Sequence, residues 1–223
     1  MTIFRCDQNF SASRNSNQHL LVTEREWSTP LNFNSMLISV GQLTAIYDPD
    51  QLERICAEKA KHCYKVVNGL FEIMTGEYIV ARLLKYEGRP DVGADTVVRL
   101  VPPKGVEENL DLCYRDYYNW TLDHSYLPAE YMAGMIASMF VLSSLSLESS
   151  DSSKQVLVIG AGAGGMDMAL HGMKPHVNIT GVDIDELVLK IGKKWFGSVE
   201  SETHHLVAQD GVVFAENAVA EGW

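Results

Sequence analysis

The chain has 223 residues, 46% of them hydrophobic and 21% charged, with a formal net charge of -11. This composition is ordinary for a globular protein of one large or two small domains. It speaks against a nucleic-acid backbone as partner, which selects clustered Lys and Arg, but leaves room for a basic protein substrate. The opening MTIFRCDQNF has no basic segment followed by an apolar one, so no signal peptide is expected. Cys6, Cys56, Cys63 and Cys113 form no C-x-x-C pair and no zinc-type cluster, so reduced thiols, no metal and a cytoplasmic location are expected.

In chain order, residues 1–18 are polar and read as loosely ordered, and His19–Trp27 and Met36–Tyr47 have strand character. Asp48-Pro49-Asp50 reads as a turn and helix start. Leu52, Ile55, Cys56, Ala60, Cys63, Val66 and Val67 then fall at helical spacing, predicting an amphipathic helix that ends near Gly69, with the stem of Lys59 along its face. Glu77–Tyr86 fits a strand or a helix, and strand is the preferred reading. Thr96–Val101 reads as another strand, stopped by Pro102-Pro103, with Glu107–Tyr118 returning beside it. Pro128 opens a helix, and Tyr131–Leu147 carries no charge. That stretch is short for a membrane span and diluted by Ser and Gly, so it is expected to pack on a sheet, with no membrane as partner. Ser143–Lys154 reads as a loop.

The most informative stretch follows. Gln155–Gly164 reads QVLVIGAGAG, an apolar run that suits a strand buried on both faces, ending in a glycine turn. A helix from about Gly165 is followed by a strand at Asn178–Asp183, a helix at Glu186–Trp195, a strand at His205–Ala208 and a last helix through Ala220. This β-α alternation implies a parallel sheet with right-handed crossovers. The glycines satisfy two patterns at once. Gly160, Gly162 and Gly165 fit the dinucleotide motif G-x-G-x-x-G, and Gly160, Gly162 and Gly164 fit the G-x-G-x-G of S-adenosylmethionine enzymes, so spacing alone does not choose between them. Asp183, ending the second strand of the unit, is placed to hold ribose hydroxyls. Asp210, after the third, is placed either to accept from an adenine amino group or to cap the last helix. Asp185 reads as a solvated residue or a helix cap rather than a ligand.

The segments VLVIGAGAGG, ITGVDIDELVLKIGKKWFG and AQDG resemble the spermidine-synthase-like branch of class I methyltransferases, and within it the C-terminal half of the dual (lysine and N-terminal) methyltransferases of translation elongation factor 1-alpha. LLVTEREW, GEYIVARLL, VVRLVPPKGVEENLDL and LDHSYLPAEYMAGMIASM extend the likeness more loosely upstream. The resemblance implies S-adenosylmethionine as cofactor, with Gly160, Gly162 and Gly164 lining its methionine and ribose, Asp183 on the ribose and Asp210 on the adenine. It implies methylation of a protein amine, with elongation factor 1-alpha as substrate, and it sets Asp123, His124 and Tyr126 in a segment bordering the active-site mouth. His124 is the candidate proton acceptor there.

The expected fold is thus α/β: an incomplete Rossmann-like methyltransferase sheet over 122–223, holding the first three βα units, preceded by a β-rich α+β region over 1–121. The sequence ends before the fourth strand that such a sheet continues with. The chain is therefore expected to be a truncated form with weak or no turnover, whose first cofactor strand is an open edge available to a homo- or hetero-oligomeric partner. A non-catalytic binding relative, an aminopropyl transferase and a nicotinamide oxidoreductase are the competing readings.

Overall fold

The computed structural model describes residues 44–45, 50–58, 62–72, 78–88, 94–104, 120–127, 129–148 and 150–222. The expectations for residues 1–18, His19–Trp27, Lys59, Glu107–Tyr118, Cys6 and Cys113 lie outside the described residues, as do those for most of Met36–Tyr47.

An antiparallel sheet comes first in the chain. Its strands are β1 (Thr44–Ala45), β2 (Asp50–Cys56), β3 (Cys63–Glu72), β4 (Tyr78–Tyr86), β5 (Thr96–Val101) and β6 (Thr121–Asp123), in the order β1-β3-β4-β5-β6, with β2 also on β3. β4 and β5 fall where the sequence places strands. The helix expected over 51–69 is a correction: this stretch is the β2–β3 hairpin, with Cys56 opposite Cys63 and Gln51 opposite Val67. The reason is burial on both faces. Val66, Val67, Asn68 and Gly69 are all buried in β3, and a strand covered on both sides yields an unbroken apolar run that also satisfies a helical template. Asn68-Gly69 is moreover a poor helix interior. Cys56 and Cys63 are joined as a disulfide, which corrects the expectation of free thiols for this pair.

After β6 come helix α1 (Glu130–Val141) and a Ser-rich loop, then β7 (Gln155–Ile159), α2 (Met166–Met173), β8 (Asn178–Asp183), α3 (Glu186–Trp195), β9 (His204–Ala208) and α4 (Gly211–Ala220). β7, β8 and β9 form a parallel three-stranded sheet in that order, with Val156 opposite Ile179 and Val182 opposite Val207. Among the described strands, β7 pairs only with β8. α1 buries Ala133 and Ile136 against β7, α2 and β8 but leaves Tyr131 and Met135 exposed, so it is sheet-packed on one face only. No helix among the described residues is long and apolar enough to cross a membrane.

The two sheets share a core. Val66, Leu84 and Val98 of the antiparallel sheet pack with Val188 and Ile191 of α3, with Phe196 just past its end and with Ala163 of the glycine turn. Buried Arg82 spans the same junction: its Nε donates to Asn68 Oδ1 at 3.0 Å and its Nη1 to the Trp195 carbonyl at 2.6 Å. That carbonyl lies at the negative end of α3, where a cation is favoured. β6 carries residues from both sides of the division expected at 121/122.

Candidate functional site

The turn between β7 and α2 is built on positive backbone angles, with φ of 78° at Gly160, 61° at Gly162 and 96° at Gly164. Two of these glycines are needed for different reasons. A Cβ on Gly164 would lie 2.7 Å from Cβ and Oγ of the buried Ser198, so only glycine fits. A Cβ on Gly160 would meet no protein atom within 4 Å, so this position faces open space. The first glycine is free to be approached, and the third is closed by the fold.

The amides of the turn are spoken for. Gly160 and Ala161 both donate to the Val182 carbonyl, at 2.8 and 3.1 Å, and Gly164 donates to the Ala161 carbonyl at 3.2 Å. Gly162 donates to Asp183 Oδ2 at 2.8 Å and Ala163 to Thr96 Oγ1 at 3.3 Å. Asp183 thus lies against the bend. Its other oxygen accepts from the Asp185 amide at 2.9 Å. Each carboxylate oxygen has two lone pairs, so each keeps one for a further donor.

Asp185 is the N-cap of α3, its Oδ1 accepting from Leu187 N at 2.9 Å. Two side chains of β3 and its approach hold the other oxygen. His62 Nε2 is 2.8 Å from Asp185 Oδ2, and the Tyr64 hydroxyl donates to it at 3.0 Å. Burial, followed by the hydrogen bond to Asp185, pushes the Tyr64 phenol well above its ordinary value, so it stays a donor. Asp210 caps α4 through Oδ1, which accepts from Val212 N at 2.8 Å and Val213 N at 3.3 Å. The capping alternative is therefore realised, and Oδ2 takes no part in it.

The segment after β6 is held differently. Asp123 is buried and accepts from Arg99 Nε at 2.8 Å, from Arg99 Nη2, from Ser125 N at 2.9 Å and from Ser125 Oγ at 2.6 Å. Burial raises its pKa, but Arg99 and Ser125 outweigh that and hold the carboxyl below its ordinary range. Its acceptor sites are filled, which makes it a fixture of the β5–β6 junction. The Arg99 guanidinium lies over the Tyr126 ring, 5.6 Å from its centre. His124 lies beside Gly197, just past the end of α3. Burial lowers its pKa against the opposing charges of Asp167 and Asp123, keeping the ring neutral near pH 7. Asp123, His124 and Tyr126 are thus gathered at the junction of β6 with the end of α3, while Gly160, Gly162 and Asp183 are gathered at the bend.

A buried polar pair lies beneath the turn. Asp167, in the first turn of α2, bonds His204 Nε2 at 2.9 Å, both side chains are fully buried, and His204 Nδ1 is 2.9 Å from the Val199 carbonyl. Burial lowers the His204 pKa, but the hydrogen bonds to Asp167 and Val199 outweigh it and the net shift is upward. Sequence reasoning missed Asp167, His204, Thr96, His62 and Tyr64. Nothing in their spacing marks them, because each partner is distant in the chain.

The fold is α/β, with a glycine bend after β7 and the acid of β8 against it. Residues 136–221 match the spermine/spermidine synthase domain. The eEF1A lysine and N-terminal methyltransferase homolog of Drosophila pseudoobscura pseudoobscura is 28% identical over 145 residues, covering 65% of this chain and 20% of that protein. A polyamine aminopropyltransferase of Clostridium botulinum is 41% identical over 68 residues, covering 29% of this chain and 24% of that one. Among solved structures, human methyltransferase-like protein 13 in complex with SAH aligns at 25% identity and a TM-score of 0.36, over 42% of each chain. Residues 136–221 are thus similar to a spermidine synthase domain, and the chain's relatives include proteins named as methyltransferases of eEF1A, so the resemblance read from the sequence holds. It spans 20% of the length of the first of these relatives.

Proposed function

We propose that the bend at Gly160–Gly164 and the Asp183 carboxylate bind S-adenosylmethionine, and that the protein is a methyltransferase acting on a protein amine. The observation that carries this choice is the pairing of five successive amides, Gly160 to Gly164, with protein acceptors. A dinucleotide needs amides of such a turn for its pyrophosphate. Here they are occupied, and the carboxylate of Asp183 adds negative charge at the turn. A cationic sulfonium with an uncharged ribose suits that field better than a diphosphate does.

The residues present fit the group. Asp183 has two lone pairs for the ribose hydroxyls, Ile184 is 75% exposed beside it as an apolar surface for a purine, and Asp210 Oδ2 is left for an amino group. The chemistry supplied by such a cofactor when bound is transfer of a methyl from sulfonium to a nucleophile. The chain's own part is to fix orientation at the bend and to keep His124 neutral, as a proton acceptor must be. The acidic balance suits a basic protein substrate, with elongation factor 1-alpha as candidate and the cytoplasm as the place of encounter.

Titration calorimetry with S-adenosylhomocysteine, set beside fluorescence titration with NADH, tests the reading. Binding of the first and not the second is expected, and the reverse would overturn it. Methyl transfer to an amino-terminal elongation-factor peptide then reports turnover. Among the described residues β7 pairs only with β8, and its other edge supports a second reading, a non-catalytic partner that pairs there. Light scattering after size exclusion separates the two, a monodisperse monomer counting against the second. Aminopropyl transfer is checked by supplying decarboxylated S-adenosylmethionine with putrescine.

The two glycines give a paired prediction. Gly164→Ala is expected to destabilise the fold by about 2–5 kcal/mol in urea unfolding, combining left-handed strain with the clash at Ser198. Gly160→Ala carries only the strain of ~1–2 kcal/mol, yet is expected to weaken S-adenosylhomocysteine binding by tenfold or more, on the order of the barrier a misplaced methyl imposes.

A further inference from the structure

The strands β2 and β3 end in a constellation that the cofactor reading does not use. Cys56 is exposed, Cys63 half-buried, and the two are disulfide-bonded across the hairpin. Arg54 Nη1 lies 3.1 Å from Cys56 Sγ. The guanidinium is aimed there by Glu87, which takes Arg54 Nε at 3.0 Å and Nη2 at 2.7 Å. A cation beside one sulfur favours its thiolate, which makes Cys56 the better leaving group on reduction and the better nucleophile on oxidation. An exposed disulfide with one cation-stabilised sulfur differs from an inert structural one in both respects.

Position in the chain gives this pair its meaning. Cys63 lies between His62 and Tyr64, the two residues that grip Asp185 Oδ2. On β3, residues 62 and 64 share one side and 63 takes the other. The bond to Cys56 therefore fastens the backbone from behind while the two rings hold Asp185 in front. Asp185 in turn donates its amide to Asp183 Oδ1. An unbroken chain of contacts runs from the disulfide to the carboxylate at the bend.

We propose that Cys56–Cys63 is a reversible thiol–disulfide exchange site for low-molecular-weight thiols of the glutathione class, and that its redox state sets how firmly Asp185, and through it Asp183, is held. A thiolate attacks Cys63 Sγ and the S–S bond breaks, expelling Cys56 as a thiolate beside Arg54. A second thiolate attacks the mixed disulfide and leaves as the oxidised dimer. The two cysteine sulfurs gain two electrons and two protons, and two external thiols become one disulfide. The affinity readout of this proposal rests on the cofactor reading, but the alkylation and hydrogen-exchange readouts do not.

The test equilibrates the full chain in buffers of varied reduced-to-oxidised glutathione, followed by alkylation and mass spectrometry. Cys56 and Cys63 are expected to pass together from disulfide to two alkylated thiols, with Arg54→Ala slowing the opening about threefold. Hydrogen exchange over residues 185–189 is expected to rise on reduction, and S-adenosylhomocysteine affinity to fall about fivefold, the equivalent of one net hydrogen bond. Two thiols in every buffer, a disulfide that persists in excess reduced glutathione, or exchange at 185–189 indifferent to redox state would each overturn the proposal. Absence of S-adenosylhomocysteine binding in both redox states would instead overturn the cofactor reading, leaving this one to be judged by alkylation and exchange.

Discussion

Asp183→Ala is expected to lower S-adenosylhomocysteine affinity by on the order of a hundredfold or more. A carboxylate that accepts from two ribose hydroxyls makes two charge-assisted hydrogen bonds, each worth about 1.5–3 kcal/mol. The same substitution strips acceptors from the Gly162 and Asp185 amides, so the bend itself loosens. Calorimetry therefore needs a thermal melt beside it, to separate lost contact from lost shape. Asp183→Asn is the sharper variant. It keeps the volume but turns one oxygen into an N–H donor, which must face one of those two amides or the ligand. Both variants are expected to bind poorly, with the asparagine form melting closer to the wild type. An alanine variant that keeps its affinity within about threefold, a difference smaller than a single hydrogen bond, would remove Asp183 from the ribose.

Asp167→Ala is expected to destabilise the protein by about 3–5 kcal/mol near pH 6, because it strands a buried charged partner. The pH dependence follows from the ring. Protonated His204 donates at both nitrogens, to Asp167 and to the Val199 carbonyl, whereas a neutral imidazole can donate at only one. Its folded-state pKa is raised above the unfolded value of about 6.5, so its contribution is complete below that pH. The contribution is lost as pH rises through the folded value. Neighbouring His171, its ring centre 5.4 Å from that of His204, shifts the other way, by burial first and then by the His204 charge, and so stays neutral alongside. Urea unfolding of wild type and Asp167→Ala at pH 6 and pH 9 is expected to show the gap narrowing at the higher pH. A gap of constant size would mean that the ring carries no charge.

What was legible in the sequence was local. The glycine bend, the acid of β8 and the elements from β7 to α4 follow from periodicity and turn chemistry within short windows. Gly162 and Asp183 are 21 residues apart, within one β-α-β unit. What was not legible depends on chain segments meeting after collapse. His204 and Asp167 are 37 residues apart, Ala163 and Thr96 67, and Arg82 and Trp195 113. No window in the sequence spans those separations. The hairpin at 50–72 was misread for a related reason: β3 packs on α3 through Val66 and into a second cluster, with Ala94 and Tyr126, through Val67 and Phe71, and a doubly covered strand has no alternation to display.

The core common to both sheets has an evolutionary consequence. Val66, Leu84 and Val98 are as much the floor of α3 as they are the face of their own sheet, and each such side chain accounts for about 1.5–3 kcal/mol of burial. A recombination event that exchanged the parallel half for a homologous one would have to carry matching partners for Ile191 and Phe196, and a carbonyl for Arg82, or inherit holes. Substitutions along this seam should therefore travel in pairs.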